Sequence, residues 1–200
     1  MKHVIIYVLL LGITIPFFMH ETQAYGASKN MVQDERLIFD FNNTDATDYW
    51  RIVNDGVMGG LSKSEIIFSE NKTAIFKGII SLENNGGFAS VRTISRPYEL
   101  HGYDGIRLRV KGDGKQYQFR IRTNDEVDGI SYRCQFETKN NSWIIIEIPF
   151  NQCEPVFRGR VLQDVKLILA DDIQQIGFLI ANKQAETFQL EIDWIKAYKN

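Results

Sequence analysis

The stretch NDGVMGGLSKS, Asn54 to Ser64, gathers three glycines around one acid and a Val-Met pair, ahead of a strand-like run. Glycine-rich loops cradle phosphates when their N–H groups converge at the start of a helix. Here no helical pattern follows, the Gly-Lys-Ser/Thr ending of a nucleotide loop is missing, and GxGxxG spacing is absent. The loop therefore reads as architecture. Gly56, Gly59 and Gly60 supply backbone angles that a side chain forbids. Asp55 and Ser62 tie the loop through backbone hydrogen bonds, and Met58 is a core plug or a partner contact. The same reading places this loop beside the second glycine cluster, ENNGG, with Asn84, Asn85, Gly86 and Gly87.

Other chemistries find little support. The chain has three histidines, and His3 and His20 sit in a leader-like segment. His101 alone remains, in the turn-like stretch YELHGYDG, so it reads as a solvated loop residue. A His-rich metal site is excluded, and a Ser-His-Asp triad has only that one base available. No pair of acids stands out for glycoside hydrolysis, and no dense Asp/Asn loop marks a calcium site. No metal, cofactor or catalytic residue is assigned. With 23 basic and 25 acidic residues, bulk charge gives no reason to expect nucleic acid or an anionic membrane as partner.

Arginine is the more informative residue. In GIRLRVKG, Arg107 and Arg109 alternate with Ile106, Leu108 and Val110; in QYQFRIRT, Arg120 and Arg122 alternate with Phe119 and Ile121. A short Asp113-Gly114 turn joins the runs, which predicts a hairpin with all four guanidinium groups on one sheet face, extended by Arg133. Opposed like charges cost a few tenths to about 1 kcal/mol per pair. Internal carboxylates, with Glu137, Glu147, Glu191 and Asp193 as candidates, would offset them, or an anionic or hydroxyl-rich ligand would. Both remain open, with Asn84, Asn85 and Arg92 placed at the rim. Trp50, Trp143 and Trp194 offer either core packing or a sugar-stacking platform, and Trp50, just ahead of the glycine loop, is the best placed for a site.

The elements that must position these residues are short period-two runs rich in β-branched and aromatic residues, separated by Gly, Asn, Asp and Lys. RLIFDFN opens the series and TFQLEIDWIKAY closes it; DVKLILA at 164–170 belongs to it as well. No long stretch has helical periodicity. The pattern predicts an all-β, antiparallel sandwich. Asn85-Gly86, like Asp113-Gly114, signals a type I′ hairpin.

Residues 1–24 read as a cleaved secretory signal: a basic start, an apolar run and a small residue at Ala24. The alternative is an N-terminal membrane anchor. Residues 25–35 form a flexible lead-in and 36–200 a single domain, with no membrane span once the signal is removed. The signal implies export to a periplasmic, extracellular or cell-surface location, where Cys134 and Cys153 pair as a disulfide or stay as two buried thiols.

Four stretches, NDGVMGGLSKS, GIISLENNGGFASVR, PFNQCEPVFRGR and FQLEIDWIKAY, resemble the complex I intermediate-associated protein 30 family from about Phe39 to Tyr198. The resemblance implies a galactose-binding-like β-sandwich, or jelly roll, a fold that also carries carbohydrate-binding modules. It also implies an assembly role in mitochondrial relatives. The expectation from residues and resemblance together is an exported, non-catalytic module that engages a protein or glycan through its glycine-rich loops and arginine face. The alternatives are a protein-assembly factor or scaffold without a small ligand and, behind it, a carbohydrate-active enzyme.

Overall fold

The computed structural model describes residues 34–42, 46–126, 128–184 and 186–200. The expected signal at 1–24 and all but the end of the lead-in lie outside them. The strands are β1 (Glu35–Phe39), β2 (Trp50–Ile52), β3 (Lys63–Phe68), β4 (Ala74–Ile80) and β5 (Ala89–Thr93). After these come β6 (Gly105–Lys111), β7 (Gln116–Arg122), β8 (Ser131–Glu137) and β9 (Trp143–Pro149). The last are β10 (Glu154–Phe157), β11 (Arg160–Val161), β12 (Gln175–Ile180) and β13 (Glu186–Tyr198). Among the described residues helix is confined to one turn at Ala46–Tyr49 and a few 3-10 turns.

Two antiparallel sheets face each other. The first runs β3-β4-β13-β6-β9, with β1 added along β13; the second runs β11-β10-β8-β7-β12-β5-β2. Their inner faces are the apolar halves of the alternating runs. Phe76, Leu108, Leu190 and Ile192 come from the first sheet, and Tyr117, Phe119, Ile121 and Phe178 from the second; all are at most 1% exposed. Rings meet across the gap: Tyr117 of β7 lies edge-on to Phe188 of β13 at 6.4 Å, and Phe39 of β1 packs on Trp50 of β2 at 5.2 Å. The sandwich form follows, because a sheet with one apolar face must bury it against another element.

The disulfide forms between Cys134 of β8 and Cys153, just before β10, two strands paired in register at Arg133 and Glu154.

Three local expectations are corrected. The 111–116 connection is no hairpin: β6 belongs to the first sheet and β7 to the second, so the chain crosses between layers there. Of the Asp113-Gly114 pair only Gly114 has a positive φ, whereas a type I′ turn needs two. The 83–87 segment likewise crosses between sheets, and its positive φ values fall on Asn84, Asn85 and Gly87 while Gly86 has a φ of -68°. Finally, 164–169 forms no strand; Leu167 and Leu169 are exposed, and only Ile168 of the run is buried.

Candidate functional site

The layer crossing after β6 separates the arginines. Arg107 and Arg109 point outward from the first sheet and Arg120 and Arg122 outward from the second, so the predicted single arginine face does not exist. Each pair meets a different environment.

On the first sheet every cation of β6 has an acid. Arg107 donates to Glu147 and to Glu35, each at 2.7 Å, and Lys111 lies 2.6 Å from Glu191. Arg109 pairs with Asp193, the extra residue where the β13 register slips between Ile192 and Trp194. Burial works against the Arg107 charge, but the bonds to Glu35 and Glu147 outweigh it and hold the guanidinium above its ordinary value. Trp143 stacks under Arg109 at 4.7 Å, and Trp194 under Lys196 at 4.6 Å. These two tryptophans therefore belong to a charged lattice on the outer surface of the first sheet. A shallow depression of about 640 Å³ on this sheet is neutralised in the same way, with Lys77 3.4 Å from Glu65 and Lys115 3.8 Å from Asp113.

The second sheet differs. Register carries Arg133, Arg120, Gly177, Arg92 and Arg51 across β8, β7, β12, β5 and β2 in one row, all facing outward. Gly177 leaves a gap in the middle of that row. A Cβ there would stand 2.3 Å from the Val91 carbonyl oxygen, so no side chain fits without moving backbone. The gap opens into a cleft of about 660 Å³, floored by Arg92, Arg120, Arg122, Gln175 and Gly177 and rimmed by Val57, Met58 and Arg158. Among the described lining residues Asp128 is the sole carboxylate, and Arg158 Nε already donates to it at 3.0 Å. Arg133 is held by Glu154 at 2.6 Å. Arg120 donates to Ser131 Oγ and Arg122 to the Gly129 carbonyl, both at 2.9 Å, so these two meet neutral oxygens. Arg120 Nε is buried with no acceptor among the described residues. Burial, reinforced by the nearby charges of Arg133 and Arg122, pushes the Arg120 guanidinium down to about 10. Arg122 is lowered by burial and by Arg92, with Asp128 and Glu126 partly offsetting the effect.

The glycine loop forms one wall of this cleft, and Asp55 fixes it. The carboxylate is fully buried and accepts from Ser62 N at 3.0 Å, Gly87 N at 2.7 Å, Phe88 N at 3.2 Å and the Ser62 hydroxyl. Burial alone would raise this carboxyl; the hydrogen bonds outweigh it and hold it below the ordinary range. The bonds join the two glycine clusters, which are adjacent as the sequence reading has them. A Cβ on Gly60 would lie 2.4 Å from Asp55 Cγ, and one on Gly86 2.7 Å from Asp55 Oδ2. Gly59 is needed for its φ of +87°, whereas Gly56 has an ordinary φ and open space around it, contrary to expectation. Val57 and Met58 at the loop tip are exposed, so Met58 is no core plug.

Of the other sequence candidates, Trp50 is 4% exposed and packed among Phe39, Phe41 and Phe178, which makes it core. Asn84 and Asn85 are exposed on the turn beside Asp55 and do not line the cleft. His101 is exposed and bonds Asp171 at 2.9 Å. Sequence reasoning missed Gln175, Gly177 and Arg158 in the cleft and Arg51 at the end of the arginine row. Their places depend on partners far away in the chain, and no local signal marks them. Among the described residues no group of three His, Cys, Asp or Glu side chains is placed to hold a metal, and no helix is long and apolar enough to cross a membrane.

Among solved structures the fold is similar to the family 11 carbohydrate-binding module of a Clostridium thermocellum cellulosomal cellulase, with a TM-score of 0.63 at 19% identity, covering 84% of this chain and 95% of that one. The same module in complex with a β-1,3-1,4-mixed-linked tetrasaccharide matches with a TM-score of 0.62 at 20% identity, over 82% and 95% of the two chains. At such identities the likeness concerns the fold. In sequence the chain is 26% identical to the mitochondrial complex I intermediate-associated protein 30 of Mus musculus over 84% of its length, and 25% identical to that of Drosophila melanogaster over 80%. It spans only 57% and 61% of those two relatives. These and further relatives are named as mitochondrial proteins, which overturns the expectation of export. A basic start and an apolar run describe many N-terminal addresses, and they do not by themselves specify secretion. The model of the complex I intermediate-associated protein 30 family matches residues 39–192, and the chain belongs to that family.

Proposed function

We propose that this chain is a non-catalytic assembly factor that holds a protein partner in the cleft over its second sheet. The observation that carries this reading is the contrast between the two sheets. The arginines of β6 are matched acid for base, while among the described residues Arg120 and Arg122 on the cleft floor hydrogen-bond a hydroxyl and a carbonyl. Two half-buried guanidinium groups that hydrogen-bond neutral oxygens are a place for a complementary partner. The relatives' name, association with an intermediate of complex I, makes such an assembly the first partner to test.

A glycan reading has the fold in its favour, but the cleft does not support it. Among the described residues neither tryptophan nor tyrosine lines the cleft, and Trp143 and Trp194 are committed to cations on the opposite sheet. Sugar platforms depend on exposed aromatic faces. A glycosidase reading needs two carboxylates, and Asp128 stands alone among the described lining residues.

Affinity capture with the intact chain and with an Arg120→Met, Arg122→Gln variant tests the proposal. Complex I subunits or their assembly partners are expected with the wild type and lost with the variant. Equal capture by both, or direct binding of mixed-linkage glucan in place of protein, would overturn it.

A further inference from the structure

Resting on the protein-binding reading, we infer that the cleft seats an acidic side chain, Asp or Glu, carried on an extended segment of the partner, with its carboxylate over Gly177 beside Arg120 and Arg122.

Charge is the first ground. The register row places like charges side by side, with Arg133 directly opposite Arg120. Of the nearby acids, Asp128 is engaged by Arg158 and Glu154 by Arg133, while Glu126 acts on Arg122 through its field and only partly offsets the lowering. A carboxylate entering over Gly177 would relieve this repulsion, and the planar guanidinium fork binds carboxylates through two parallel bonds.

Hydrogen-bonding capacity is the second. Among the described residues Arg120 Nε is buried with no acceptor, and Gln118 and Gln175 each bury an amide oxygen with no donor. Gln175 pairs with Arg122 in register, and Gln118 faces outward one row over, opposite Leu179. A bare inorganic anion would satisfy only the arginine. An extended peptide satisfies both, since its carboxylate accepts from Arg120 and a backbone N–H donates to Gln175 on the cleft floor.

Shape is the third. Gly177 leaves the floor open between flanking arginines, and Val57 and Met58 stand exposed on the rim. Methionine offers an adaptable apolar surface to whatever side chain flanks the acid.

The test uses the full chain and a displayed library of short random peptides. Selected peptides are expected to carry Asp or Glu. In fluorescence anisotropy, exchanging that acid for its amide should weaken binding at least about tenfold, as should Arg120→Met or Arg122→Gln. Lys77→Gln on the opposite sheet should leave Kd unchanged, and urea midpoints establish that each variant folds. Peptides that bind without an acid, or that ignore both arginine variants, overturn the inference and leave the protein-binding reading standing. Inorganic phosphate that displaces the peptide at matching concentration also overturns it, because the cleft is then a plain anion site. A selection that yields no peptide overturns it too, and if mixed-linkage glucan binds instead, the protein-binding reading falls with it.

Discussion

Replacing Asp55 with alanine removes an acceptor that four donors share. Three are backbone N–H groups, of Ser62, Gly87 and Phe88, and the fourth is the Ser62 hydroxyl. Hydrogen bonds to a charged group contribute about 1.5–3 kcal/mol each, and donors left unpaired in a buried site cost a similar amount. Gly87 and Phe88 are half-buried, so water can reach part of the vacated space and the losses do not add in full. A net destabilisation of about 3–5 kcal/mol follows, a large share of the 5–15 kcal/mol typical of a domain. Asp55→Asn keeps one acceptor but turns an NH2 group toward donors, so it should cost somewhat less. Urea unfolding measures both. The pH dependence gives an independent check. A carboxyl held below its unfolded value, about 3.9, stabilises the fold above that value and loses the effect as pH falls through its folded value. The wild type should therefore lose more stability than Asp55→Asn on going from about pH 5 to pH 2. A loss under about 1 kcal/mol for Asp55→Ala, or identical acid limbs, would refute this account of the loop.

Other outcomes follow from the same geometry. Gly60→Ala forces a Cβ to 2.4 Å from Asp55 Cγ and should cost about 1–3 kcal/mol by overpacking, whereas Gly56→Ala should change stability by less than about 0.5 kcal/mol; paired thermal melts separate the two. Changing Cys134 and Cys153 together to serine opens a link spanning 19 residues and should cost about 2–4 kcal/mol in urea unfolding, and adding reductant to the wild type should reproduce the loss. Arg120→Met relieves a like-charge contact in a half-buried row, so the fold should be as stable as the wild type or slightly more stable by the urea midpoint, even as partner binding falls.

Alternation made much of the fold legible. Ile106, Leu108 and Val110 on β6, and Tyr117, Phe119 and Ile121 on β7, point inward as a period of two requires. Alternation fixes the facing of residues within a strand but is silent on which sheet the strand joins. The 111–116 connection is short enough for a hairpin, yet it crosses between layers, and that crossing sends Arg109 and Arg120 to opposite surfaces. The run at 164–169 shows the converse: its alternating Val165, Leu167 and Leu169 suggest a strand, but no neighbour pairs with it and two of the three are exposed. The role of Gly177 depends on Arg120 and Arg92 meeting it from strands far away in the chain, a juxtaposition that only the folded register provides. The Ser62 half of the Asp55 tie was readable because its reason is local, whereas the Gly87 and Phe88 donors lie 32 and 33 residues away. An acid among glycines commonly seeks backbone N–H groups.

The central claim is that the second sheet, and not the first, presents arginines to a partner. NMR of the arginine Nε–Hε groups during titration with a bound acidic peptide tests it most directly. The resonances of Arg120 and Arg122 should shift with saturation at the Kd, while those of Arg107 and Arg109, already paired with Glu35, Glu147 and Asp193, stay in place. Movement of Arg107 and Arg109 with Arg120 unmoved would contradict it.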